Sequence, residues 1–255
     1  MRKAILILII FIISEKSCAQ IFDFDSSYVI ASSPSFDYKN PSYSTRNNIF
    51  HFSNFDFLCY EKHSNGVTSN IVLRKFDWFQ YFGEIEVTTD QNTLNLNSFI
   101  KSPSWEYHLC FITWQSNSSG DWDIYYAIYN DSTSSFQTPP TLVDTSNSDE
   151  TNPHIAFDGT KIIFSYERDN DIYIKRLDYG TGTWYPDTNI TSVYSKPCTN
   201  HDMINNGGNW GIIFQEGLQN ENKLIRFDIF RILNQPNYYL RYVRETKLKN
   251  SNKES

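Results

Sequence analysis

The sequence is poor in the residue patterns that most often carry chemistry. Its four cysteines include no C-x-x-C pair, which argues against a structural zinc site. It contains no G-x-S-x-G, H-E-x-x-H or phosphate-loop pattern, so none of these signatures identifies an enzyme. Basic residues are outnumbered, with 22 Lys and Arg against 29 Asp and Glu, and they form no stripe. This acidic balance argues against nucleic acid and anionic membrane surfaces as partners.

Long apolar runs are also missing, apart from one near the amino terminus. A basic pair at residues 2–3 precedes an apolar run at 4–13, and residues 17–19, Ser-Cys-Ala, are small. Ten apolar residues are too few to span a bilayer, so no transmembrane segment is predicted. We predict that residues 1–19 are a cleavable signal peptide and that the protein is secreted or periplasmic. Lipidation at Cys18 and a buried amino-terminal strand are the alternatives.

The chain expected after cleavage near Ala19 is long enough for one domain, which we place at residues 20–243, followed by a polar tail at 244–255. Loss of three basic residues and one acidic residue takes the net charge from −7 to −9. Three cysteines remain, an odd number that leaves at least one thiol unpaired. Cys59 and Cys110 lie in apolar runs, where a small buried side chain is expected; a disulfide between adjacent units is the alternative.

The stretch from Asn152 to Asp178 has the pattern of three short strands separated by turns. Pro153 suits the start of a strand, and Asp158-Gly159 between apolar runs is a strong hairpin signal. β-branched and aromatic residues fill 161–166, whereas 171–178 alternates in the manner of a half-buried strand. A polar tip separates these last two strands. Such short, turn-broken segments indicate β-structure and not helices.

Three landmarks of this stretch recur along the chain in step. The first-strand asparagine recurs as Asn40, Asn97, Asn152 and Asn200. The end of the second strand recurs as Tyr60-Glu61, Trp114-Gln115, Tyr166-Glu167 and Gln215-Glu216. The end of the third strand recurs at 75–77, 128–130, 176–178 and 226–228. A period of about 50 residues with four short strands per unit is typical of β-propellers, whose units cover each other's faces.

Residues 157–178, FDGTKIIFSYERDNDIYIKRLD, resemble the WD40-like repeat of TolB-type β-propellers. The matching positions are Asp158, Gly159, 162–164, Arg168, 171–173 and Leu177. The second repeat shares Asp-Ile-Tyr at 123–125. The resemblance implies an exported scaffold that binds proteins or ligands, and it brings no common catalytic residue.

We therefore predict an all-β fold, a β-propeller of about four repeats of four short antiparallel strands. The repeats are placed at about 38–90, 91–147, 148–195 and 196–243, and their fourth strands at 84–88, 141–143, 188–191 and 238–243. Pro139-Pro140 and Pro236 are expected just ahead of such strands. A further strand at 28–30 either completes the last unit or belongs to a flexible leader. A closed four-bladed ring and an arc of a larger ring both fit; an arc would expose an apolar face and favour self-association.

Two of the repeated landmarks are expected on one face of a propeller. The candidate ligand-binding residues there are Glu61, Gln115, Glu167, Glu216, His154, His201 and Asp202. A ring of acids and imidazoles can hold a cation, a sugar or a basic peptide. The alternative is structural, with each asparagine bonding local backbone and each glutamate facing water. No metal ligand or cofactor is predicted, because the paired aspartates at 121–123 and 169–171 lack the glycine and distal glutamate of a calcium loop.

Three functional hypotheses follow from the sequence. The first is an exported, non-catalytic propeller that binds a protein or glycan partner through its loop-rich face. The second is a secreted, sialidase-like or other glycoside-active enzyme that uses a pair among Glu61, Glu167 and Glu216, since a glycosidase needs two carboxylates about 5–10 Å apart. The third is a partial propeller with a structural or oligomerising role.

Overall fold

A computed structural model of the chain describes residues 8–12, 18–22, 27–31, 33, 35–45, 56–64, 68–76, 81–90, 92–102, 108–144, 146–206, 209–217, 223–229 and 240–247. The secondary structure of these residues consists of β-strands joined by turns. Within them, no helix is long and apolar enough to cross a membrane. The chain divides into two compact units, Met1–Leu142 and Val143–Ser255.

The first unit holds one three-stranded sheet and two four-stranded sheets, all antiparallel. The three-stranded sheet consists of β1 (Leu8–Ile12), β2 (Cys18–Phe22) and β3 (Ser27–Ala31). The first repeat sheet consists of β4 (Phe36–Thr45), β5 (Asp56–Ser64), β6 (Thr68–Phe76) and β7 (Tyr81–Glu86). The second repeat sheet consists of β8 (Asn95–Lys101), β9 (Leu109–Ser116), β10 (Asp123–Asn130) and β11 (Ser135–Leu142).

The second unit holds two further four-stranded antiparallel sheets. The third repeat sheet consists of β12 (Glu150–Phe157), β13 (Lys161–Arg168), β14 (Asp171–Asp178) and β15 (Trp184–Asn189). The fourth repeat sheet consists of β16 (Cys198–Asn206), β17 (Asn209–Glu216), β18 (Lys223–Ile229) and β19 (Leu240–Lys247). In all four repeat sheets each strand pairs with the next along the chain, so the prediction of four repeats of four antiparallel strands is confirmed.

The strand predicted at 28–30 is present as β3, but it pairs with β2. It is not a strand of the fourth repeat sheet, whose order is β16-β17-β18-β19, so that part of the prediction is wrong. A neighbouring hairpin closes a loop of only a few residues, and its entropic cost is lower than that of recruiting a strand from the far end of the chain. Cleavage of residues 1–19 stays a prediction.

The fourth strands lie slightly off their predicted positions, and two of them, β11 and β15, contain proline. Pro139 and Pro140 lie inside β11 and not ahead of it, while Pro186 lies inside β15. β11 and β15 are edge strands, and Pro139 and Pro140 lie where the register between β10 and β11 shifts, both of which are places where proline is tolerated. The same prolines blunt an edge that would otherwise be open to pairing with another chain. Pro236 lies outside the described residues.

The turns of the third repeat sheet follow their sequence signals. The loop between β12 and β13 has Gly159 at a φ of 97°, and Asp158 Oδ1 accepts hydrogen bonds from Thr160 N at 2.8 Å and Lys161 N at 2.7 Å. The polar tip between β13 and β14 has Asp169 and Asn170 at φ of 54° and 64°. Two consecutive residues with positive φ match the twist of a two-residue hairpin.

Within each unit, one apolar sheet face packs on the next. In the first unit the shared core contains Phe57, Cys59, Ile71, Leu73, Ile100, Cys110, Ile112 and Trp114. In the second unit it contains Ala156, Ile163, Ile172, Ile174, Cys198, Met203, Ile212 and Phe214. Both cores join residues of two successive repeat sheets, which is the mutual covering that the repeat predicts.

Three cysteines are buried and unbridged: Cys59, Cys110 and Cys198. Burial raises the pKa of the Cys59 thiol to about 12, so the group is a poor nucleophile near neutral pH. The expected role of Cys59 and Cys110 as small apolar side chains is confirmed, and the disulfide alternative is not.

Candidate functional site

The four first-strand asparagines share one backbone distortion. Asn40, Asn97, Asn152 and Asn200 have φ between 46° and 53°. At each of them the strand gains one residue over its partner; β12, for example, passes from Thr151 opposite Glu167 to His154 opposite Ser165. Asparagine tolerates this left-handed conformation better than most residues, which explains why a bulge that recurs four times is built on it.

Each of these asparagines donates a side-chain hydrogen bond across its own sheet. The amide Nδ2 reaches the Oε1 atom of the residue at the end of the second strand, and the pairs are Asn40–Glu61 at 2.7 Å, Asn97–Gln115 at 2.9 Å, Asn152–Glu167 at 2.7 Å and Asn200–Gln215 at 3.0 Å. The predicted convergence of the two landmarks is therefore real. The amide bonds a side chain of the neighbouring strand, however, and not local backbone as the structural alternative supposed.

Two of the acceptors also bond the next repeat sheet. Glu61 Oε1 accepts a hydrogen bond from the backbone N–H of Asn97 at 2.7 Å. Glu167 Oε1 accepts one from the backbone N–H of Asn200 at 2.7 Å. We call these two groups the Glu61 clasp (Asn40, Glu61 and Asn97) and the Glu167 clasp (Asn152, Glu167 and Asn200). In each clasp one carboxylate joins two successive sheets through charge-assisted bonds, which are stronger than those between neutral groups.

The clasp glutamates do not lie in water. Glu61 is fully buried, and the side chain of Glu167 is 15% exposed. Burial by itself raises the pKa of Glu167, but hydrogen bonds from His201, Asn152 and the Asn200 backbone outweigh it and lower the pKa overall. Glu167 is thus a carboxylate at neutral pH with its charge held by fixed donors.

Glu216 belongs to a different position of the repeat. Gln215 lies opposite Thr199 and bonds Asn200, as Glu61 lies opposite Lys39 and bonds Asn40. Glu216 lies opposite Cys198 and so corresponds to Lys62 and Arg168 in the other sheets. The predicted alignment of Glu216 with Glu61 is wrong by one residue. Because side chains alternate across a strand, this shift moves Glu216 to the other sheet face.

The Glu61 clasp includes a histidine that sequence reasoning missed. His63 Nε2 lies 2.7 Å from Glu61 Oε2, the oxygen that the asparagines leave free, and His63 is buried. The signal was present in the strand period, because residues two apart project from the same face. The Glu61 carboxylate thus meets three donor groups within one unit.

The Glu167 clasp adjoins three further candidate residues, His154, His201 and Asp202. His201 Nδ1 lies 3.4 Å from Glu167 Oε1, and His201 Nε2 lies 2.9 Å from Ser165 Oγ. A neutral His201 with its proton on Nδ1 satisfies both contacts. His154 packs against His201 with ring centroids 4.7 Å apart, and its Nδ1 lies 3.3 Å from Asp202 Oδ1.

The Ser165–His201–Glu167 chain has the order of a hydrolase triad but not its access. Ser165 is fully buried on β13, and His201 is 3% exposed. A nucleophilic serine needs an exposed Oγ with oxyanion donors beside the reacting carbonyl. The three side chains therefore link β13 to β16 through buried contacts. Burial, reinforced by the neighbouring His201, lowers the pKa of His154 to about 3, so His154 is neutral at pH 7.

Arg168 lies at the centre of a second cluster of charged side chains. Its Nη1 atom lies 2.9 Å from Asp144 Oδ2 and 3.4 Å from Glu150 Oε1, its Nη2 donates to Asp187, and its guanidinium lies 3.8 Å above the Tyr173 ring. Burial alone lowers the pKa of Arg168, and the contacts with Asp187 and Tyr173 raise it overall. Arg168 therefore bridges three carboxylates, and Lys175 Nζ adds a second positive charge 2.5 Å from Asp144 Oδ1. Among the described residues, no group of three or more His, Cys, Asp and Glu side chains is arranged to hold a metal ion.

Within each unit, the loop before a first strand and the turn after a second strand lie side by side. In the second unit Ser148 Oγ donates to Asp169 Oδ2 at 3.2 Å, which joins the loop before β12 to the β13–β14 turn. Cys198 N donates to Asn170 O at 2.7 Å, which brings the start of β16 to the same turn. In the first unit Leu94 N donates to Asn117 Oδ1 at 2.8 Å, which joins the corresponding loops. Exposed polar residues of the second unit at this end include Asn147, Asp149, Asp169 and Asn170.

No protein-family model and no curated protein matches this sequence. Among solved structures, the chain is similar to a puromycin-hydrolysing peptidase from Mycobacterium tuberculosis, with a TM-score of 0.52 and 10% identity over 91% of this chain and 34% of that one. It is similar to prolyl oligopeptidase B from Galerina marginata, with a TM-score of 0.50 and 9% identity over 91% of this chain and 31% of that one. For TolB from Acinetobacter baumannii the TM-score is 0.41 and the identity 14%, over 80% of this chain and 47% of that one.

The chain spans about a third of the length of the two peptidases. At such low identities a likeness shows the fold and nothing of the chemistry. The match falls on the propeller part of these proteins, so the four sheets of this chain belong to the β-propeller fold class.

Proposed function

We propose that this chain is an exported, non-catalytic β-propeller scaffold that binds a protein or glycan partner through its loop-rich end. One observation supports it most directly: two of the three carboxylates of the enzyme hypothesis, Glu61 and Glu167, join successive sheets. Glu61 is fully buried against Asn40, Asn97 and His63, and Glu216 is 6% exposed. A glycosidase acid or nucleophile has to touch its substrate, which a buried carboxylate with filled acceptor sites does not do.

The polar loop residues support the choice of surface. Asp149, Asp169 and Asn170 are exposed at one end of the second unit, and hydrogen bonds connect their loops. Loops held in place by a rigid sheet are the usual carriers of binding residues. Carboxylate and amide groups suit sugar hydroxyls or a basic peptide. We propose export on the basis of the amino-terminal segment. We propose a TolB-like family relationship on the basis of the 157–178 repeat.

A binding experiment tests the surface. The full chain is screened against a glycan panel and a set of basic peptides, and hits are measured by calorimetry with the double variant Asp169→Ala/Asn170→Ala. Thr181→Ala, at an exposed turn at the other end of the same sheet, is the matched control. We expect at least a tenfold loss of affinity in the double variant, about 1.4 kcal/mol, and none in the control. Equal affinity in both variants would place binding elsewhere.

A parallel assay addresses the enzyme hypothesis. Glycoside hydrolysis is measured for the wild type and for Glu61→Gln, Glu167→Gln and Glu216→Gln, with folding checked by circular dichroism. A robust activity that disappears in folded Gln variants, together with no binding to the panel, would overturn the scaffold proposal. Light scattering of the full chain separates the third hypothesis, since an oligomerising arc would not be monomeric.

A further inference from the structure

We propose that the join between the third and fourth repeat sheets is an acid-sensitive lock, in which protonation of the buried His154, packed against His201, releases β16. The lock consists of His154 on β12, His201 and Asp202 on β16, and Ser165 and Glu167 on β13. All five residues lie within the second unit.

The geometry carries the proposal. The ring centroids of His154 and His201 are 4.7 Å apart, and the two side chains are 12% and 0% exposed. Two imidazolium charges at that distance, away from water, repel strongly. Both ring nitrogens of His201 face polar partners, with Nδ1 at 3.4 Å from Glu167 Oε1 and Nε2 at 2.9 Å from Ser165 Oγ. A proton added to His154 therefore lies beside a second imidazole that is fixed in place by these contacts.

Two carboxylates act on His154, one shared with other donors and one exposed to water. Glu167, on β13, is already engaged by Asn152, Asn200 and His201. Asp202, on β16, lies 3.3 Å from His154 Nδ1, but its side chain is 62% exposed and its charge is screened by water. From β14 the neighbouring core receives the apolar side chains of Ile172 and Ile174. Burial and the adjacent His201 ring therefore oppose protonation of His154, whereas the charges of Glu167 and Asp202 favour it.

The direction of the pH effect follows from the lowered pKa of His154. Burial and the neighbouring His201 lower its pKa to about 3, against about 6.5 in an unfolded chain. Between these values the opened state binds more protons than the closed state. The contribution of neutral His154 to the stability of the closed state is complete above pH 6.5 and is lost progressively as the pH falls toward 3.

The Glu61 clasp provides an internal control. In the first unit Ser42 and Ser98 occupy the repeat positions of His154 and His201. Its histidine, His63, faces the carboxylate of Glu61 at 2.7 Å, so a proton there completes an ion pair. Acid is expected to leave this clasp intact while it loosens the other.

Hydrogen exchange of the full chain, read by mass spectrometry, tests the lock. Protection is compared at pH 7.5 and pH 5.0, after correction for intrinsic exchange, in peptides covering β16 and β8. We expect opening of β16 to increase at least about tenfold at pH 5.0, as the linkage of one strongly shifted group requires. Opening of β8 is expected to change less than about twofold. An equal response of the two strands overturns the proposal without any variant.

Variants then identify the group. His154→Ser, which installs the side chain of Ser42 at the same repeat position, is expected to remove the pH dependence of β16 opening. His154→Gln serves the same purpose if the serine variant does not fold. His108→Asn, at a residue of the first unit whose side chain is 54% exposed, is the control and keeps the wild-type profile. Unchanged pH dependence in a folded His154 variant would also overturn the proposal.

Discussion

The Glu61 clasp and the Glu167 clasp make the same bonds between successive sheets but have different neighbours. In each, a glutamate at the end of the second strand accepts the amide of its own sheet's asparagine and the backbone N–H of the next sheet's asparagine. Glu61 lies in a fully buried site and has His63 from its own strand as a third partner. Glu167 is partly exposed and has His201 from the neighbouring sheet.

The comparison shows that both units share the bridging carboxylate, whereas the origin of the neighbouring imidazole differs. Both units need an acceptor that bridges two bulged strands, because the bulge turns a backbone N–H out of the ladder. The source of the additional imidazole is not specified by that requirement. The first unit takes it from two residues along the same strand, and the second unit takes it across the sheet boundary, where it meets His154.

The largest expected effect comes from Glu61→Ala. It leaves the Asn40 amide, the Asn97 N–H and His63 without their acceptor in a dry site, and removal of one partner from a buried charged network costs about 3–5 kcal/mol. Urea unfolding of the first unit, followed by hydrogen exchange of β8, measures the loss. Glu86→Gln, whose side chain is 53% exposed, is the control and should change stability by less than about 0.5 kcal/mol.

Glu167→Ala should cost less, about 2–3 kcal/mol, because water can reach part of the site and solvate the abandoned donors. The corresponding measurement follows exchange of β16 in urea. The comparison between the clasps fails if Glu167→Ala destabilises the second unit as much as Glu61→Ala destabilises the first.

A smaller contribution to the stability of the second unit should come from the negative charge of Glu167, and lowering the pH should remove it. Its pKa is lowered in the folded chain, so its stabilising contribution is present above about pH 4.5, its ordinary value, and is lost as the pH falls through the lowered pKa. This loss begins at a lower pH than the loss from His154, which starts near pH 6.5, and it overlaps the lower part of that loss. Denaturant unfolding at successive pH values should therefore show a steeper fall in the stability of the second unit below about pH 4.5, and Glu167→Gln should abolish this steepening.

The smallest effects are expected from exchanging Cys59 and Ser165, which occupy the same repeat position. Cys59→Ser should cost about 1 kcal/mol or less, because the hydroxyl finds Ser98 beside it. Ser165→Cys should cost more, about 1–2 kcal/mol, because it weakens the 2.9 Å contact with His201. Thermal unfolding of both variants checks the order, and the reverse order would contradict this account of the second clasp.

Strand content and the repeat were predictable because they depend on local patterns. Apolar and β-branched runs, turn signals and the recurring asparagine identified four sheets of four strands. The same patterns placed Glu167, His154, His201 and Asp202 in one neighbourhood, and the structure brings these four residues together. His63 was equally accessible through the two-residue strand period and was overlooked.

The pairing register of the strands could not be predicted from local sequence patterns. Gln215 and Glu216 are adjacent polar residues at the end of β17, and nothing in their composition tells which one faces Asn200. The strand edge likewise decided where prolines are tolerated, since Pro139 and Pro140 end no strand but lie within an outer one.

The sequence by itself determined a chain of short strands repeated about every 50 residues with an asparagine at each first strand. Only the tertiary structure decided that the repeated glutamates are buried joints between sheets and not exposed acids. The physical reason is that a carboxylate's environment depends on donors supplied by residues 21 and 36 positions away for Glu61 and 15 and 33 positions away for Glu167. Such partners come together only when sheets stack, and no local propensity encodes their distance.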